Sequence, residues 1–172
     1  MQGTHLGGLP LFSNLSPEEQ AEIEALLERA SFGAGEEIFE EGGPEKYLYV
    51  LTSGTVKVYK EIFPNQRQHL ATIHAPTVVG ELGLMIESKA AASVVAEEPV
   101  EALRLSHEAF LEKLESGSST AHKVVYEIGR TLAERMAKTD ESITKIVARL
   151  EDARSDRDFD VFRNKLMQEW GF

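Results

Sequence analysis

From Phe32 to Leu105 the chain is a series of short apolar runs cut by turn residues, and that pattern restricts it to a sheet of antiparallel neighbours. Glu37-Ile38-Phe39, Tyr47–Thr52, Thr55–Phe63, Gln68–His74, Ala92–Ala96 and Val100–Leu105 read as strands. Gly42-Gly43-Pro44, Ser53-Gly54, Pro64-Asn65 and Glu97-Glu98-Pro99 lie between them and have turn chemistry. A parallel pair needs a crossover of about a dozen residues or more, usually helical, and no such segment lies between these runs. Short strands at a spacing of about 8–12 residues point to a closed or double-sheet barrel.

Helices are expected on either side. Ser16-Pro17-Glu18-Glu19 combines a hydroxyl N-cap, a Pro at the first helical position and a Glu at the third. Ile23, Leu26, Leu27 and Ala30 follow at helical spacing, so one short helix is expected to end near Ser31. Ser106 caps a second short helix, His107–Leu114, which the Ser116–Ser119 cluster breaks. A long helix from Thr120 to about Arg154 then has no Gly or Pro after Gly129. Gly129, Met136, Ile143 and Leu150 recur every seven residues, each followed three later by Leu132, Thr139, Ile146 and Ala153. That narrow stripe predicts a two-stranded coiled coil, the alternative being a helix packed along its own domain. In the tail, Phe159, Phe162, Leu166 and Trp170 also fall at helical spacing. They read either as a terminal helix folded back on its own dimer or as a docking helix for a partner protein. The expected division is a β-rich body over 1–118, the long helix over 119–154 and an amphipathic tail over 155–172.

Charge excludes some functions. Residues 1–118 hold 8 Lys and Arg against 19 Glu, while the remainder balances at 10 and 10, so the body carries the whole net charge of −11. Nucleic-acid binding needs a cationic surplus to displace counterions, and neither part has one. Cys is absent, which removes thiolate chemistry and Cys-based zinc sites. No apolar run approaches the ~18 residues that span a bilayer, and Met1–Pro10 does not have the form of a signal peptide. A soluble, cytoplasmic protein without a membrane association is expected.

Catalytic constellations are missing from the sequence: there is no phosphate loop, no nucleophile elbow and no zinc helix. His69 and His74 are five apart, which on one regular strand sets them on opposite faces. An enzyme is not expected. The segment that stands out is Gly80-Glu81-Leu82-Gly83-Leu84-Met85, a Gly turn entering a short helix between two strands. Its backbone N–H groups could face an anion, and Glu81 could accept from a sugar hydroxyl or merely cap nearby N–H groups.

Several ordered motifs give this segment a context. Leu11-Phe12-Ser13-Asn14-Leu15-Ser16, Gly35-x-x-Ile38-x-x-x-Gly42, Tyr49-Val50-Leu51-x-Ser53-Gly54-x-Val56-x-Val58, Val79-Gly80-Glu81-Leu82-Gly83-Leu84 and Ala92-Ser93-Val94 resemble successive parts of the cyclic-nucleotide-binding domain. That family includes catabolite activator proteins, protein kinase A regulatory subunits and cyclic-nucleotide-gated channels. The resemblance covers residues 9–155. It implies a mainly β fold with helices: an eight-stranded β-roll of jelly-roll or cupin-like form, short flanking helices and a long helix that forms a parallel dimer, to which the spacing in the tail adds a short C-terminal helix. Cyclic AMP or cyclic GMP is the regulatory ligand it implies, and no other cofactor or metal is expected.

The part of the family's cassette that grips phosphate departs from the pattern. Counting from Gly80, the slot for the phosphate-pairing Arg holds Ala90, the Pro slot before it holds Lys89, and the next holds Ala91. Glu81, which the resemblance assigns to the ribose hydroxyl, is retained. Thr139 matches a long-helix Thr that touches adenine in catabolite activator proteins, although the Ser expected after it is Asp140, and Arg135 matches an Arg of that helix. Thr139 equally fits a polar register position in a coiled coil. Loss of two charge-assisted hydrogen bonds at ~1.5–3 kcal/mol each weakens binding by roughly 10²–10⁴-fold. Lys89 could supply a point charge in their place, without bidentate geometry.

The sequence therefore supports a non-catalytic homodimeric module acting through protein contacts, with the ligand-binding positions Gly80, Glu81, Leu82, Lys89, Ala90, Ala91, Arg135 and Thr139 weakened or unused. The alternative is a cyclic-nucleotide sensor that uses Glu81, Lys89 and Thr139 to control a partner. A DNA-binding regulator is the third reading. Only 18 residues follow Arg154, too few for a winged helix-turn-helix unless the chain continues.

Overall fold

The computed structural model describes residues 6–64, 66–86 and 89–153. Single 3-10 turns at Leu6–Gly8 and Pro10–Phe12 lead to α1 (Pro17–Glu24). The capping box forms in full: Glu19 N–H donates to Ser16 Oγ at 3.3 Å, and Ser16 N–H donates to Glu19 Oε2 at 2.9 Å. Strands β1 (Glu28–Phe32), β2 (Glu37–Phe39), β3 (Tyr47–Ser53), β4 (Thr55–Phe63), β5 (Gln66–His74) and β6 (Thr77–Val79) follow. Then come α2 (Leu82–Met85), β7 (Ser93–Ala96), β8 (Val100–Ser106), α3 (His107–Glu115) and α4 (Ser119–Ala153).

The eight strands make two four-stranded antiparallel sheets, ordered β1-β8-β3-β6 and β2-β7-β4-β5. Both sheets contribute to one apolar core, with Ile38, Phe39, Val56, Val94 and Ala96 from one and Tyr49, Leu51, Val79, Val100 and Ala102 from the other. In β3, Leu48 and Val50 alternate with Tyr49 and Leu51, and all four are buried, so the first sheet is covered on both faces. This is the expected eight-stranded β-roll.

Two local expectations are corrected. The first helix stops at Glu24, Leu26 and Leu27 lie in the turn that follows, and Ala30 falls in β1, where it pairs with Ala102 and Phe32 pairs with Val100. Tertiary pairing overrides the helical period there: five residues gain a ladder on β8, and Ala30 and Phe32 pack against the core. The second correction concerns the histidines. An irregularity in β5 opposite Val58 and Tyr59 leaves His69 beside Tyr59 and His74 beside Thr55, which share a face of β4. They are four residues apart along that strand, about 13 Å, and each has another partner. His69 packs on the Tyr59 ring, and His74 Nδ1 lies 3.1 Å from Thr55 Oγ1. Among the described residues no group of three or more His, Asp or Glu could hold a metal ion.

Two compact units divide after Ile128, inside α4. In the first unit the opening turns of α4 are tied to α1: Glu22 accepts from Thr120 Oγ1 at 2.5 Å and Ser118 Oγ at 3.0 Å, and Lys123 Nζ holds Glu19 at 2.7 Å. Asn14 donates to the buried Glu127. Ala121, Val124 and Ile128 are fully buried. In the second unit α4 continues to Ala153, supported by the i,i+4 pairs Arg130–Glu134 and Glu141–Lys145. No described helix is long and apolar enough to cross a membrane.

Candidate functional site

Gly80 leaves β6 with φ +82°, a conformation that an L side chain adopts rarely. A Cβ there would lie 2.5 Å from Phe39 Cζ and 2.6 Å from the Tyr47 carbonyl oxygen. At Gly83 a Cβ would lie 2.6 Å from the Glu45 carbonyl oxygen. Both glycines thus let the cassette backbone lie against the β2–β3 connection, a packing need that is separate from any anion. Between them Glu81 opens the four-residue α2 and is 9% exposed.

Glu81 has an acidic neighbour, Glu45, that no local sequence pattern signals. Burial, and then the charge of Glu81, push the Glu45 carboxyl above the ordinary carboxylate range, while an N–H from Gly83 acts in the opposite direction. The start of the cassette is therefore flanked by two carboxylates from segments 36 residues apart in the chain.

The later half of the cassette is held by backbone. Ala90 N–H donates to the Gly43 oxygen at 2.8 Å, and Gly42 N–H donates to the Ala90 oxygen at 2.9 Å. Lys89 bridges to Pro44 through its main chain and is exposed. Ala90, in the Arg slot, is 6% exposed and belongs to the apolar core. Aromatic rings fill that core nearby: Tyr49 meets Phe39 edge-on at 5.3 Å and Phe32 at 5.5 Å, and Tyr47 lies 6.1 Å from Tyr49. Ala91 is exposed, and its carbonyl accepts from Lys60 Nζ at 2.6 Å. Lys60 also pairs with Glu41 at 2.5 Å, so the cation that sequence reasoning missed at this position is already engaged.

The remaining candidates belong to the second unit or lie beyond description. Thr139 Oγ1 donates to the Arg135 carbonyl at 2.9 Å, and both side chains are exposed. Leu132 is half-buried and Met136 is 67% exposed. Ile143, Ile146 and Leu150 lie on α4, but their side chains are outside the described set. Phe159, Phe162, Leu166 and Trp170 fall outside the described residues.

Two antiparallel sheets around one core, a Gly-Glu cassette between β6 and β7, and a long helix after the last strand define a regulatory β-roll. The chain belongs to the cyclic nucleotide-binding domain family, which matches residues 29–116. It is 31% identical over 133 residues to the cyclic AMP receptor protein of Thermus thermophilus, covering 77% of this chain and 62% of that protein. The cAMP-dependent protein kinase regulatory subunit of Aspergillus fumigatus is 34% identical over 110 residues, 64% of this chain and 26% of the subunit. The crystal structure of Thermus thermophilus catabolite activator protein superposes with a TM-score of 0.71 at 28% identity, over 80% of this chain and 62% of that one. The chain thus spans less than two thirds of each of these relatives.

Proposed function

We propose that this chain is a non-catalytic, homodimeric regulatory module in which cyclic-mononucleotide binding is weakened or lost, and which acts in the cytoplasm through protein contacts. The observation that carries the reading is Ala90. Its methyl group is buried in the apolar core at the position where the family resemblance calls for a phosphate-pairing Arg. A cyclic phosphate brought there would meet aromatic and aliphatic side chains, and its desolvation would go uncompensated. The Glu45 and Glu81 carboxylates and the net charge of −11 add further repulsion. Dimerisation is assigned to the α4 stripe of Leu132, Met136, Thr139, Ile143, Ile146 and Leu150, and partner docking to the tail residues Phe159, Phe162, Leu166 and Trp170. Nucleic acid is not a partner of this segment.

One observation favours the sensor reading. Glu81 is retained, nearly buried, at the start of α2 where a ribose hydroxyl would be received, and the relatives above are named for cyclic AMP. In that case exposed Lys89 must serve the phosphate. Thermal melting of native protein and Ala90→Arg, each with cyclic AMP and cyclic GMP at ~1 mM, separates the two. A native midpoint that does not move, with an upward shift for Ala90→Arg, supports a slot without its clamp. A rise of several degrees in the native protein that Lys89→Ala removes would establish the sensor.

A further inference from the structure

A cavity opens between the β2–β3 connection, Lys89 and the first turn of α3. The cavity has a volume of about 730 Å³, within the usual range for small-molecule sites. Four charged side chains line it: Glu45, Lys46, Lys89 and Glu108. None of the four makes an ion pair among the described residues, although they face one cavity and carry both signs. Of the seven other Lys and Arg in the first unit, Lys57, Lys60, Arg67, Arg104, Lys113 and Lys123 each hold a carboxylate, and exposed Arg29 has no ion pair among the described residues. The cavity charges are thus held apart across an opening, where each keeps unspent capacity for a charge-assisted hydrogen bond.

Two further features make this more than a solvated rim. His107 lines the cavity, and its Nδ1 is buried with no hydrogen-bond partner among the described residues, an arrangement that costs about 1–3 kcal/mol. Tyr47 and Leu111 give the cavity an apolar wall. Glu45 adds a cost of its own, since a half-buried carboxylate beside Glu81 is poorly solvated.

We propose that this cavity binds a free zwitterionic amino acid with an apolar side chain. Its ammonium would meet Glu45 and Glu108. The carboxylate would meet Lys46 and Lys89, and the side chain would cover Tyr47 and Leu111. A ligand of zero net charge enters without opposing the −11 field of the protein, whereas a phosphate or dicarboxylate does not. The site is distinct from the core position of Ala90. It deepens the regulatory reading by naming a class of effector, and it rests on that reading only in treating the module as regulated.

The test is calorimetric titration of the full chain with L-leucine, L-isoleucine, L-methionine and L-phenylalanine, alongside isoamylamine and 4-methylpentanoate, which carry one charge each. At least one amino acid should give saturable heat. The single-charge analogues should bind at least about tenfold more weakly, and so should Lys89→Ala and Glu108→Gln. Both of those side chains are exposed, so the unliganded melting point should stay unchanged and report an intact fold. Absence of binding by all four amino acids overturns the proposal, as do equal affinities for the analogues or for the two variants. These probes contain no phosphate, so their failure leaves the cyclic-nucleotide reading standing, and the two conclusions fail separately.

Discussion

The two parts of α4 share one helix and differ in what surrounds them. Up to Ile128 it is an internal element: Ala121, Val124 and Ile128 are fully buried, and Glu19 and Glu22 reach it from α1. From Gly129 to Glu141 no residue is buried, and Met136 is 67% exposed. The apolar period nevertheless persists through Leu132, Met136 and Ile143. A single chain supplies no reason to maintain that period in water, because helical stability in proteins comes mainly from packing one face. The first part thus belongs to the roll, and it is on the exposed second part that the proposed dimer seam falls.

The strongest way to break this comparison is Ile143→Asp with Ile146→Asp. Two charges in the seam should convert a dimer to monomer in sedimentation, with the melting of the roll little changed. Ile128→Ala should do the reverse, lowering the stability of the roll by about 2–5 kcal/mol while the mass remains that of a dimer. Acid sharpens the contrast further. Hydrogen bonds from Thr120 and Ser118, with Lys113, hold the Glu22 carboxyl below its ordinary range, and Lys123 does the same for Glu19. Each adds stability that is present above its unfolded pKa and lost as pH falls through its lower folded value. Amide protection in α1 and residues 119–128, corrected for the intrinsic slowing of exchange in acid, should therefore fall on acidification, and Glu22→Gln should flatten that dependence. The smallest effect is expected at Met136→Ala. Truncation of an exposed side chain should leave the roll within about 0.5 kcal/mol of native stability while weakening the dimer measurably.

Legibility in the sequence followed the range of the interactions. The Ser16 capping box, the Ser106 cap and the strands of the β3–β4 and β7–β8 regions are specified by neighbours in the chain, and the structure has them where the residues place them. β1 was hidden because Ile23, Leu26, Leu27 and Ala30 satisfy a helical period, and only the ladder on β8 shows the competing strand. β6 is three residues long, too short to carry a period of its own. In the cassette, the replacement of the Arg by Ala90 could be counted from Gly80. The burial of that methyl group, the approach of Glu45 to Glu81 and the engagement of Lys60 at Ala91 all depend on segments distant in sequence. The cavity beside Lys89 is a product of three such segments, and no local pattern announces it.

The proposed function requires a roll that does its work without a cyclic nucleotide. Calorimetric titration of the native 172-residue chain with cyclic AMP tests it most directly. No saturable heat, or affinity weakened to millimolar, is expected when a cyclic phosphate has no guanidinium to pair with. Micromolar or tighter binding at one site per chain would contradict it and make the chain a nucleotide sensor.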